Sequence, residues 1–167
     1  MIRHIIAAAC TLLLGHGALA ADLPQPEGAV ILTLIGQISN TNAEGSANFD
    51  LAMLNALPAR ETRTQTPWHE GEPVFSGPLG TALLDAVGAE GSTLRITALN
   101  DYVVDIPVDD LRRFPVIFAT HIDGVAMSVR NKGPLFVIYP FSEDPALSNE
   151  LYFGRSAWQI RQIEVID

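Results

Sequence analysis

Reactive side chains are sparse in this chain. It holds one cysteine, Cys10, and four histidines. His69 and His121 have no third ligand residue at metal-binding spacing, so they make a weak metal signal. Neither G-x-S-x-G nor H-E-x-x-H occurs, and no pair of carboxylates stands at a spacing that argues acid–base work. Gly-Pro-Leu recurs at 77–79 and 133–135. Those glycines form no run of free N–H groups, so they are turns rather than phosphate loops. Chemistry by recognition is better served than chemistry by reaction. Trp68 stands in a Pro- and Gly-broken stretch, 67–73, where strand packing alone does not explain it. Between 94 and 139 short apolar runs alternate with turns that carry Asn, Asp, Arg and Lys.

The elements that must position these groups belong to a chain of 167 residues, the length of one domain. Arg3, the apolar run 5–14 and the Ala-Leu-Ala at 18–20 form a leader pattern with cleavage expected after Ala20. The run is too short to cross a bilayer. Residues 21–167 are then one exported domain. Its cysteine leaves with the leader, which excludes a disulfide, a thiolate nucleophile and a Cys-ligated metal. The formal charge of −9 becomes −10 once Arg3 is removed. That balance, with no basic cluster, excludes nucleic acid as a partner.

Strands are expected over 29–39, 92–99, 102–106, 115–119, 125–129, 135–139 and 157–166, and a strand or extended loop over 61–66. A loop is expected over 40–48. The first helix spans 49–57, capped by Asn48, with Asp50 in its first turn. The second begins at Pro78 and ends at Gly88, where positive φ is easy. One helical turn falls at 108–111, and 149–155 is irregular or one turn. Asn100-Asp101 and Asp123-Gly124 are turns, the latter closing a hairpin. Strands interrupted by two short helices predict an α+β domain with mixed or antiparallel strands.

Over residues 61–139 the sequence resembles the molybdopterin-binding domain of the sulfite oxidase family. The matching pieces are T-P-W at 66–68, F-S-G-P-L-G-T-A-L-L at 75–84, T-A-L-N-D-Y at 97–102 and D-I-P at 105–107. P-V-I-F-A at 115–119, D-G-V-A-M-S at 123–128 and K-G-P-L-F-V-I-Y-P at 132–140 complete the set. The resemblance implies a sulfite oxidase-like α+β fold with a loop-lined pterin cleft. The family ligates molybdenum through a cysteine, and its position falls near Thr64 here. A threonine hydroxyl is a poor, hard substitute for a thiolate, so a pterin without molybdenum is the implied ligand. Small exported, cysteine-less members of this superfamily look like periplasmic pterin sensors that act on a membrane partner in cyclic-di-GMP turnover.

Under that resemblance the pocket residues can be assigned. A pterin needs a planar stacking face and polar groups at its edge. Trp68 either supplies that face or closes the core. Thr64, Thr66 and Arg63 meet the ring edge or are strand and surface residues. Arg130 and Lys132 share a loop; the planar fork of Arg130 suits a pterin edge, whereas Lys132 suits solvent equally well. Asn100, Asp101 and Tyr102 cap adjacent strands. Asp101 or Asp123 would accept two N–H groups from the aminopyrimidine end, although both also fit ordinary turns. The other readings are a molybdopterin-dependent oxidoreductase subunit and a ligand-free interaction module.

Overall fold

Leu32 and Leu34 are fully buried, and Thr33 and Ile35, which alternate with them, are half-buried along strand β1 (Leu32–Gly36). This period of two points one face into the main core. The computed structural model describes residues 23–167, and the leader expected over 1–20 lies outside them. Strand β1 pairs antiparallel with β2 (Ser46–Phe49) and parallel with β11 (Ile160–Ile166). Strand β11 runs antiparallel to β5 (Thr93–Ala98), which pairs with β6 (Val103–Pro107) at the far edge. The resulting five-stranded sheet has the order β2-β1-β11-β5-β6.

A second sheet joins β3 (Ala59–Arg63), β4 (Val74–Pro78), β8 (His121–Ile122) and β9 (Val125–Ala126). A two-stranded ribbon pairs β7 (Ile117–Ala119) with β10 (Phe136–Ile138). Strand β4 crosses close to β7 at Gly77, where a Cβ would lie 2.2 Å from the Phe118 carbonyl oxygen. Only glycine permits that approach. Phe75, Ile117, Ala119, Met127, Phe136 and Ile138 form a second core here, with Trp68 and Trp158 packed against it.

The described residues are thus mixed α+β, with both parallel and antiparallel pairing. They contain four α-helices rather than two. The expected helix over 49–57 contracts to α1 (Leu51–Asn55), because Phe49 pairs with Leu32 as the last residue of β2. Its cap is Asp50, not Asn48: one Asp50 oxygen accepts from Met53 N–H and the other from Glu27 and Gly28 N–H. Three donors on one carboxylate hold it below the usual aspartate range, the Met53 and Gly28 bonds foremost. Pro78 ends β4 instead of opening a helix, and α2 (Gly80–Val87) begins after Leu79. Gly88 closes α2 at φ +58, as its position predicts. The turn expected at 108–111 extends into α3 (Val108–Arg113), with acids in its first turn and arginines in its last. Residues expected to be irregular form α4 (Glu150–Arg155), capped by the Asn149 side chain on the N–H groups of Leu151 and Tyr152. No helix among the described residues is long and apolar enough to cross a membrane.

Candidate functional site

Four rings meet where the second core reaches the surface. Trp68 stands edge-on to Phe136 at 5.5 Å, Trp158 at 5.5 Å and Phe153 at 6.0 Å between centroids. Such edge-to-face contacts place the positive rim of one ring against the negative face of the next. The chain reaches this point from three directions. Trp68 comes from the loop after β3, Phe153 from α4, and Trp158 from the approach to β11. Trp158 also bridges to Phe136 of β10. The Lys132 ammonium lies 4.6 Å from the centre of the Trp158 ring, a cation–π contact.

These indoles form one wall of a cleft of about 430 Å³. That lies within the range of about 300–1,000 Å³ common for small-molecule sites. Ala98, Asn100 and Tyr102, at the end of β5 and the following turn, form another side. Glu150, Phe153 and Gly154 of α4, with Ser156 and Ala157 after it, complete the lining. The cleft therefore has one aromatic wall, and a carboxylate, an amide and a phenol belong to the residues that line it. Such a wall can stack a flat ring, and the polar residues beside it can meet the ring's edge. No group of three His, Cys, Asp or Glu side chains able to hold a metal gathers among the described residues.

Of the residues named from sequence, Trp68, Asn100 and Tyr102 line this cleft. Thr66 acts one step behind: its hydroxyl oxygen accepts from Trp68 N–H at 3.3 Å and lies 2.9 Å from His69 Nδ1. That fixes the tight 66–69 turn that presents the indole. Lys132 touches the wall through Trp158. The other five do not line the cleft. Arg63 is exposed and donates to the Glu72 carbonyl. Arg130 faces solvent on a short 3-10 turn. Asp101 adopts φ +64 and accepts from Arg161 at 2.8 Å; Asp123 adopts φ +48 and accepts from Val74 N–H at 2.9 Å. Both aspartates are turn residues. Thr64 is fully buried, and its hydroxyl accepts from Ser142 N–H at 3.0 Å.

The metal half of a molybdenum cofactor does not fit these residues. At Thr64, near which the resemblance puts the family's ligating cysteine, the hydroxyl oxygen is enclosed and hydrogen-bonded to the 142 loop. A hydroxyl so placed offers neither a soft donor nor an open face.

Sequence reasoning missed Glu150, Phe153, Gly154, Ser156, Ala157 and Trp158. A helix-start signal was present, since Asn149 precedes an acid at the first helical position. Nothing local marked this segment as a cleft wall.

No protein-family model matches the sequence, and no curated protein matches it. Solved structures do. The sulfane dehydrogenase SoxCD from Paracoccus pantotrophus superposes with a TM-score of 0.59 at 16% identity, covering 81% of this chain and 38% of that one. The mixed α+β fold distantly resembles that of the sulfite oxidase-type molybdopterin-binding domain. At this identity the likeness concerns the fold. This chain spans well under half of the longer protein.

His69 backs the wall and carries a testable pH signature. Burial pushes its imidazole below the ordinary value of 6.5, the Lys132 charge adds to this, and Asp123 opposes it. Between the folded value and 6.5 the unfolded chain binds more protons, so stability falls as the pH drops through that window and levels off beneath it. Thermal melts at pH 7.5 and 5.5 will show a larger drop for the natural protein than for His69→Gln. Equal drops would remove His69 as the source.

Proposed function

We propose that this protein binds a reduced pterin in the cleft walled by Trp68 and Trp158, performs no redox turnover, and reports ligand status to a membrane signalling protein that controls cyclic-di-GMP. The observation that carries this reading is the aromatic cleft with a polar rim, on a fold distantly like that of molybdopterin-binding domains. The buried Thr64 hydroxyl argues against the oxidoreductase alternative. The leader pattern at 1–20 supports a periplasmic setting. The acidic balance favours a basic docking face on the partner, through steering.

One observation favours the interaction-module reading as a complement. Leu99, Tyr102, Val103 and Leu151 are each about half exposed, and they sit on the turn, edge strand and helix beside the cleft. A partner resting there would contact ligand and protein together.

Calorimetric titration with monapterin, neopterin and biopterin, reduced and oxidised, tests the ligand. Saturable binding of at least one is expected. Trp68→Ala and Trp158→Ala should each weaken it by about 1–2 kcal/mol, the scale of one lost stacking face. No heat and no thermal shift with any pterin would end this reading.

A further inference from the structure

We propose that Glu150 selects the ligand by its 2-amino-4-oxopyrimidine edge, accepting one N–H from the ring nitrogen and one from the exocyclic amine. This rests on the pterin reading above and names the edge that the site reads. Glu150 is the one carboxylate lining the cleft. It belongs to none of the ion pairs among the described residues, and the arginine nearest in sequence, Arg155, is held by Asp110. Helix capping does not need it either, because the Asn149 side chain takes the free N–H groups at the start of α4. The two aspartates first considered for this role are engaged elsewhere, with Arg161 and with Val74 N–H.

The other polar group at the rim has the opposite sense. The Asn100 side-chain oxygen accepts from Tyr102 N–H at 3.2 Å, so its amide N–H₂ is what remains to meet a ligand. A site that offers two carboxylate acceptors and an amide donor matches a ring edge with two adjacent donors beside a carbonyl. A bicycle with a carbonyl in place of the 2-amine turns an acceptor toward the Glu150 oxygens and is rejected. The carboxylate then loses two charge-assisted bonds and faces a carbonyl oxygen that repels it, which gives this discrimination its size.

The test compares 6-hydroxymethylpterin with 6-hydroxymethyllumazine, each oxidised and tetrahydro, by calorimetry on the purified protein and on Glu150→Gln and Asp101→Asn. The natural protein should prefer the pterin by at least about tenfold. Glu150→Gln should bring that ratio down about tenfold, because its amide can donate to the second carbonyl of the lumazine. Its melting temperature should be unchanged, since Glu150 is exposed. Asp101→Asn should leave the ratio alone. Pterin binding with a ratio indifferent to Glu150→Gln, or a ratio shifted by Asp101→Asn instead, overturns this assignment and leaves the pterin reading standing. Failure of every bicycle to bind the natural protein overturns both.

Discussion

Asp110→Ala lowers the unfolding free energy by about 3–5 kcal/mol, the range found when one member of a buried charged group is removed. Asp110 is 5% exposed. One of its oxygens accepts from the Tyr139 hydroxyl at 2.9 Å and from Arg155 Nη1 at 2.7 Å. Burial, reinforced by the Asp110 charge, pushes the Tyr139 phenol far above its usual range, so it remains a donor. Alanine leaves a guanidinium and a hydroxyl enclosed without their acceptor. Tyr139 is fully buried and cannot turn to bulk water, and Arg155, packed over the Tyr152 ring with its side chain 19% exposed, regains only part of its hydration. The damage reaches the site. Arg155 is the last residue of α4, so this contact fastens to α3 the helix that carries Glu150 and Phe153. Urea unfolding of Asp110→Ala and Asp110→Asn measures the effect. Asparagine keeps an acceptor and should lose less. A loss under about 1 kcal/mol for alanine would mean that Arg155 and Tyr139 are not held as described.

Phe136→Ala costs a similar amount, about 3–5 kcal/mol, through lost burial and the cavity left behind. Phe136 is fully buried in β10 and meets Trp68, Phe75, Trp158 and His69, with centroids between 5.5 and 6.1 Å. It is the common neighbour of both indoles. Once it is gone, Trp68 and Trp158 lose the ring that fixes their angle. If the cleft holds the proposed pterin, affinity for it should then fall even in the fraction that remains folded. Phe136→Leu, which keeps most of the volume, should recover much of the stability and less of the affinity. Denaturant midpoints and calorimetry on the same samples separate the two effects. Affinity that survives Phe136→Ala intact would show that the indoles are set by other contacts.

Part of this site was legible because its residues announce themselves locally. Trp68 stands out between Pro67 and Gly71, in a segment that cannot continue a strand, and it lines the cleft. Asn100 and Tyr102 were marked by the turn they flank. The aspartates carried two readings for the same reason. Asp101 and Asp123 have the residue type that binds an aminopyrimidine, and also the type that tolerates positive φ. The structure uses both as turn residues, and the carboxylate in the cleft is Glu150. The cap of α1 shifted from Asn48 to Asp50 because strand pairing claimed Asn48 and Phe49 first. Asp50 could also satisfy donors 22 and 23 residues away, which no local window reveals.

The sequence by itself determined the strands with alternating apolar residues, the Gly88 helix stop, the Asp123-Gly124 turn and the mixed α+β class. Each follows from short-range sterics and side-chain periodicity, which act between neighbours along the chain. Only the tertiary structure decided that the 150–158 segment faces Asn100 and Tyr102, and that Trp158 joins Trp68 over Phe136. Those meetings depend on β11 lying between β1 and β5 and on Asp110 drawing in α4 through Arg155. Pairing and packing between distant segments choose which side chains share a surface. That choice is made by the burial of the whole core, and it leaves no trace in the spacing of the residues concerned.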